Sequence, residues 1–418
     1  MRCKVFSVLL LTIFLVSLAF AAKVTLRYGM WGQEQYEGVL KQIELFEKLN
    51  PDIKVEVELV PWGQYWTKLQ TMIASGDCWD VFWMNTNVGD FAERGAILDL
   101  TPLIERDKVD LSPYSPVSME LGKWKGKIYY IPRDFDTIAL YYNKDMFDSA
   151  GVKYPDWNWT YVDLILAAEK LTKRDKTGKV IQWGIVSGGT SLTSQQEWLF
   201  PFAVAAGAEY VLDEEKFDIP LNTIPFKFAA SLAAELTKRG YAPKYGEVEN
   251  AFMAGKAAMS IEGSWMYGYY VQEIKGFKWG VAPLPKVLRH GNVTNSLGNV
   301  IWSKTKYKEE AWKLVKFLAS KEAEEILGAT GAVIPAHKDA TKRWIEFFPQ
   351  EFRNGAEVFI KSLEYARPFA SIPGYRQVSV RVEEYYMPEI VSGSLDPWEG
   401  LNQAYEEAKK IIQESIKK

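Results

Sequence analysis

Val24, Leu26, Tyr28 and Met30 alternate with other side chains, a spacing that predicts a β-strand with one face toward a core. Val39, Ile43 and Phe46, with Leu40 and Leu49 beside them, then recur at helical spacing until Asn50 and Pro51 end the run. Alternation returns at Ile53, Val55, Val57 and Leu59, so the chain opens with a strand–helix–strand unit suited to a parallel sheet. Leu69 and Ile73 mark a second helix, and the apolar run ending at Met84 reads as a third strand from Asp80. Further on, Thr160 and Asp163 form the signature of a capping box ahead of Leu164, Ala167, Ala168 and Leu171. Ala311, Leu314, Val315 and Leu318 predict a late amphipathic helix, and the tail from residue 337 has helical character throughout. No internal repeat and no low-complexity linker interrupts the chain. The pattern is α/β.

Two segments carry more than periodicity. Gly126 and the run Ile128 to Ile131 read as a turn feeding a strand, Ile138 to Tyr142 as another, with Pro132, Arg133, Asp134 and Asp136 between them. A strand-to-strand passage lined with carboxylates and an arginine fits a crossing between domains, where α/β proteins hold small molecules. Gly126, Lys127, Tyr129 and Pro132 are followed in order by Tyr141, Tyr142, Asn143, Lys144, Asp145, Phe147, Ala150 and Gly151. A second ordered block holds Phe252, Gly255, Lys256, Ala257, Ala258, Met259, Ile261, Gly263, Ser264 and Trp265. Together these blocks resemble family 1 of the extracellular solute-binding proteins, the carbohydrate receptors of ATP-driven importers. Weaker matches at Asp80–Phe82, Trp279–Pro285 and Gly331 to Ala336 extend the resemblance from about Val24 to about residue 336.

The resemblance implies a two-lobed periplasmic-binding-protein-like fold, each lobe a sheet flanked by helices, with several short crossings forming a hinge beside an interlobe cleft. The implied crossings fall near Pro132 to Asp136, Ala282 to Pro285 and Gly331 to Ile334. Lobe 1 would comprise residues 23–133 plus 284–331, and lobe 2 residues 134–283 plus 332–418. The implied activity is binding without chemistry. A monomeric receptor closes on a sugar or oligosaccharide and delivers it to the permease subunits of an ABC-type importer, using no cofactor.

The first residues agree with an extracytoplasmic address. Arg2 and Lys4 precede an apolar run from Val5 to Phe20, and Ala19-Phe20-Ala21 fits a cleavage site, so residues 1–21 read as a signal peptide. The run is short for a bilayer span, and Cys3 lies ahead of it, out of place for lipid attachment. These features predict a soluble, periplasmic protein. Loss of Arg2 and Lys4 leaves 48 basic against 53 acidic side chains, a net charge of about −5, which offers nucleic acid or anionic membrane no general attraction. Cys78 alone then remains, so no disulfide can form within the chain. A chain of 418 residues exceeds one ordinary core, and two domains are expected. Its 2 histidines, His290 and His337, leave no cluster with zinc spacing.

Aromatic content changes the picture most, with 16 Trp, 22 Tyr and 21 Phe. A sugar ring presents an apolar face that suits an indole or phenol and a rim of hydroxyls that suits carboxylates and amides. Candidate ligand residues therefore sit where strands end: Trp31, Gln33 and Glu34 after the first, Trp62 and Tyr65 after the second, Asn85 and Asn87 after the third. Asp134 and Asp136 at the crossing, Glu262 and Trp265 in the second block, Asn295 and Asn299, and Tyr375 with Arg376 complete the set. Trp66, Trp183, Trp279 and Trp312 lie in periodic segments and read as packing.

Two other readings stand beside this one. A secreted glycoside hydrolase also needs acidic residues and tryptophans, with two carboxyls set across the scissile bond, but no nucleophile motif surrounds Asp134, Asp136 or Glu262. A receptor for another solute is the second, and an acidic, uronic sugar is its clearest form, with Arg133 and Arg376 as carboxylate partners.

Overall fold

A computed structural model describes residues 24–213, 216–369 and 372–416; the expected signal peptide lies outside the described residues. The opening pattern builds one sheet in the spatial order Gly298–Ile301, Val81–Met84, Val24–Met30, Ile53–Leu59. The three N-terminal strands run parallel, and Gly298–Ile301 returns antiparallel along Val81–Met84. The intervening helix Tyr36–Leu49 buries Val39, Ile43 and Phe46, and Asn50 ends it by donating its side-chain amide to the Phe46 carbonyl. The next helix, Trp62–Ser75, begins immediately after Pro61, so Trp62 and Tyr65 stand on its first turn.

A second sheet has the order Trp279–Ala282, Ile138–Asn143, Ala257–Gly263, Val180–Ser187, Lys173–Arg174. Ile138–Asn143 runs antiparallel to both neighbours, and Ala257–Gly263 runs parallel to Val180–Ser187. The Thr160–Asp163 capping box forms with both of its hydrogen bonds at the start of helix Tyr161–Leu171. The two sheets have separate cores. Leu26, Phe46, Trp79 and Val300 belong to the first, while the second sheet has one on each face, Leu140, Ile185, Trp198 and Ile261 in the second core and Tyr141, Val186, Trp279 and Phe359 in a third. The C-terminal helix Pro397–Ile416 packs Leu401, Ala404, Ala408 and Ile412 into the second core.

Three strands of chain pass side by side between the sheets. Asp134–Phe135 pairs antiparallel with Ile334–Pro335. Arg133 N donates to Leu297 O at 2.9 Å and Asp136 N to Asn295 O at 3.0 Å. The middle passage differs from its expected place near Ala282 to Pro285. Leu284 and Val293 still pack in the second core, Asn292–Thr294 pairs with Ala366–Pro368, and the chain reaches the first sheet only after Asn295–Leu297. The prolines at 283 and 285 end a strand without ending the lobe.

The strand expected from Ile128 to Ile131 is also shorter. Only Lys127–Ile128 pairs, in a hairpin with Lys123–Trp124. Tyr130 is buried on irregular backbone, its ring lying where a side chain on Gly298 would stand, 2.1 Å from the Cβ position.

Candidate ligand site in the cleft

A cavity of ≈ 500 Å³ lies between the sheets, over the passages that join them. Three parallel strands aim their C-terminal ends at it, supplying Trp31, Glu34 and Gln35, then Trp62, then Asn85. Asp134, Asp136, Gln196, Ser264 and Trp265 face them, and Asn295, Leu297 and Val333 come from the passages. This is where open α/β sheets leave backbone ends and connecting loops free to meet a ligand.

On the first-sheet side the aromatic rings hold one another. Trp31 meets Tyr65, Trp62 and Trp83 edge-on, with centroids 4.7, 5.2 and 5.2 Å away. Beneath them the Trp83 indole N–H donates to Tyr28 Oη at 2.6 Å, and Tyr28 Oη donates to Asn299 Oδ1 at 2.6 Å. The Arg133 guanidinium lies 4.1 Å above the Trp83 ring and donates to Gln35 Oε1 at 2.6 Å. Stacked and 97 % buried, Arg133 is withdrawn from the cavity, which corrects its reading as a carboxylate partner for a ligand.

Carboxyl groups dominate the facing side. Asp134 Oδ1 accepts from Leu297 N at 2.9 Å, while its buried Oδ2, without a hydrogen-bond partner among the described residues, lies 3.4 Å from Arg133 Nη1 in an ion pair. Asp136 Oδ1 accepts from Asn295 N at 3.0 Å and from Gln196 Nε2 at 3.1 Å. Loss of water pushes Asp136 up to about 8, and burial raises Asp134 as well. Behind them Glu262 Oε1 accepts from Ser260 Oγ at 2.6 Å and Tyr270 Oη at 3.0 Å, and burial pushes it up to about 7. Glu197 is raised by burial first, then by Glu262 and Glu383. Trp265 folds its indole over Gly263, with a ring carbon 2.0 Å from where a Cβ would sit. The glycine of the Gly263-Ser264-Trp265 motif is thus required by the tryptophan that follows it.

The chain from residue 32 to 325 matches the family model described as bacterial extracellular solute-binding protein. It belongs to that family. A putative binding protein of Brucella abortus (strain 2308) is 26% identical over 385 residues, 88% of each chain. A maltodextrin-binding protein of Bacillus subtilis (strain 168) is 24% identical, over 92% of this chain and 89% of that one. Among solved structures, an ABC substrate-binding protein of Listeria monocytogenes in complex with cycloalternan superposes with a TM-score of 0.82. It is 27% identical, and the match covers 94% of this chain and 99% of that one. The two-lobed fold expected from the sequence is the fold of that neighbour.

Within this solute-binding protein, eight of the fifteen candidates line the cavity: Trp31, Glu34, Trp62, Asn85, Asp134, Asp136, Trp265 and Asn295. Asn87 and Arg376 lie in an adjoining groove, Asn87 donating its side-chain amide to Asn85 Oδ1 at 3.0 Å. Gln33 is exposed outside the cavity on the short helix Gln33–Gln35. Four others are structural in their contacts. Tyr65 is fully buried and donates to Trp83 O, Asn299 holds Tyr28, Glu262 serves Ser260 and Tyr270, and Tyr375 packs in the second core. Strand-end position brings residues near the cavity, but it does not say which way each one points.

Gln35, Phe135, Gln196, Ser264, Leu297 and Val333 line the cavity without having been anticipated. Ser264 could have been found from its place in the Gly263-Ser264-Trp265 motif. Gln196 carries no such mark; it stands on a short π-helical turn, Gln195–Leu199, outside both motif blocks. Among the described residues, no group of three or more His, Cys, Asp or Glu side chains is placed to hold a metal ion.

Proposed function

We propose that this protein is an extracytoplasmic carbohydrate receptor that delivers a sugar or oligosaccharide to the permease of an ABC-type importer. The observation that carries the reading is the cavity itself, where Trp31, Trp62 and Trp265 offer apolar faces amid carboxyls and side-chain amides. The relatives named above, a maltodextrin-binding protein among them, support the same substrate class. The divided lobes, residues 23–133 with the segment ending at 331 and residues 134–283 with the C-terminal helices, would close about the three passages. Only contacts made in the closed state can drive that closure. The protein would act as a periplasmic monomer once residues 1–21 are removed.

A thermal-shift and calorimetric screen against mono- and oligosaccharides tests the reading. At least one sugar should raise the melting temperature by mass action, and chromatography should recover it uncleaved after long incubation. Release of shorter sugars would instead establish the hydrolase reading. No response to any carbohydrate would remove the assignment to sugars.

A further inference from the structure

Beside the cavity the cleft continues as a groove of ≈ 480 Å³. The two spaces share their walls. Trp62 lines the first and Trp66, one helical turn later, lines the second, with ring centroids 5.6 Å apart. Asn85 and Asn87, joined by their side-chain hydrogen bond, divide in the same way. A ligand of two or three sugar units, at several ångströms each, is long enough to occupy both.

Their ionisable side chains differ in kind. Those lining the cavity are Glu34, Asp134 and Asp136, all acidic. The groove presents Arg94, Arg376 and Arg381 against a single carboxyl, Asp90. Arg381 is committed to Glu407, at 2.7 Å. The side chains of Arg94 and Arg376 are exposed and make no hydrogen bond or close ion pair among the described residues, though Arg94 acts on the Asp90 carboxyl and Arg376 on that of buried Glu383. Arg94 follows the first lobe's helix Val88–Glu93, and Arg376 stands on Tyr375–Arg381, which packs with the second core. Asp90 Oδ1 accepts from Gly374 N at 3.3 Å, tying the two sides together, and offsets one of the two exposed positive charges. Two exposed guanidinium groups from opposite lobes in one groove, with only the withdrawn carboxyls of Asp90 and Glu383 near them, repel as the cleft closes unless an anion comes between them. Trp66 adds a further donor, since its buried indole N–H has no hydrogen-bond partner among the described residues.

We propose that this groove is an anion subsite, and that the ligand is an acidic oligosaccharide. Its neutral unit lies among Trp31, Trp62 and Trp265, and a uronic carboxylate reaches Arg94 and Arg376. The inference rests on the carbohydrate-receptor reading and specifies its substrate class. It also gives the carboxylate a part in closure, because it converts repulsion between the lobes into attraction to a shared partner.

Calorimetry with matched pairs tests it: xylo-oligosaccharides with and without a glucuronic acid, and oligogalacturonates with their methyl esters. The preferred acid should bind at least tenfold more tightly than its uncharged partner, with the preference shrinking as salt is raised. Arg94→Gln and Arg376→Gln should each abolish most of that preference, while the affinity for the uncharged partner and the ligand-free melting temperature stay unchanged. A sulfated sugar matching the uronate in affinity would keep the anion subsite and overturn the assignment to a carboxylate. Neutral sugars binding as tightly as their acids, with no effect of either substitution, would overturn the subsite and leave the carbohydrate reading intact. Silence from every acidic and neutral sugar would overturn both.

Discussion

On the first-sheet side of the cleft, Trp31, Trp62, Tyr65, Trp66 and Trp83 pack ring against ring, with Trp31 in contact with each of the other four. On the second-sheet side, Asp136, Glu197 and Glu262 bring carboxyl groups close enough to act on one another, and loss of water raises each of them. Aromatic packing is apolar, close-fitting and indifferent to pH, so the first wall presents a fixed surface. Buried carboxyls change with protonation, so the second wall answers to its surroundings. One wall is held by the core, whereas the other weakens its lobe as it charges.

The largest expected effect lies in the first wall. Trp83 is fully buried, supports the Arg133 guanidinium and bonds Tyr28. Trp83→Ala should therefore cost about 3–5 kcal/mol of stability, measured by urea denaturation without ligand. A loss below about 1 kcal/mol, no more than an average substitution, would show that this wall does not depend on its rings.

Trp265 should behave differently. It is half-buried and rests on Gly263. Losing about 100 Å² of apolar contact with a sugar face would cost roughly 2–3 kcal/mol of binding, a fall in affinity of between ten- and a few hundredfold. Titration of Trp265→Ala should show that loss with the ligand-free melting temperature nearly unchanged. Equal affinity in the variant would assign the residue to packing.

The smallest effect sharpens the contrast between the walls. Asp136 and Glu262 are raised to about 8 and about 7, so the folded protein keeps protons that the unfolded chain releases near pH 4. Stability is then greatest in mild acid, falls as pH rises toward 8, and levels off above it. Each retained proton contributes up to about 1.4 kcal/mol per pH unit within that window. Asp136→Asn should flatten the fall, and melting temperatures between pH 5 and 9 will show it. A parent protein with no such fall would mean that these carboxyls are ionised throughout.

The local elements were legible because their signals are local. The Thr160–Asp163 box, the helix stop at Asn50 and Pro51, and the alternation from Ile53 to Leu59 each formed as the spacing implied. Gly263-Ser264-Trp265 was legible as a motif, but the reason for its glycine was not: the space beside Gly263 is filled by the Trp265 ring itself. Less legible was the destination of a passage. Pro283 and Pro285 looked like a lobe boundary, yet Val293 lies in the second core because its apolar side chain packs there.

By itself the sequence determined the α/β class, the family and the residues that gather at the strand ends, all of which follow from periodicity and short motifs. Tertiary structure alone decided which of those residues face the cavity. Tyr65 and Trp62 share one helical turn, but only Trp62 reaches it, because Tyr65 points inward to the Trp83 carbonyl. It likewise decided that Arg133 stacks away from the cavity while Arg94 and Arg376, 282 positions apart in the sequence, meet in one groove. Orientation and long-range charge pairing depend on how separate elements pack. No spacing along the chain encodes them.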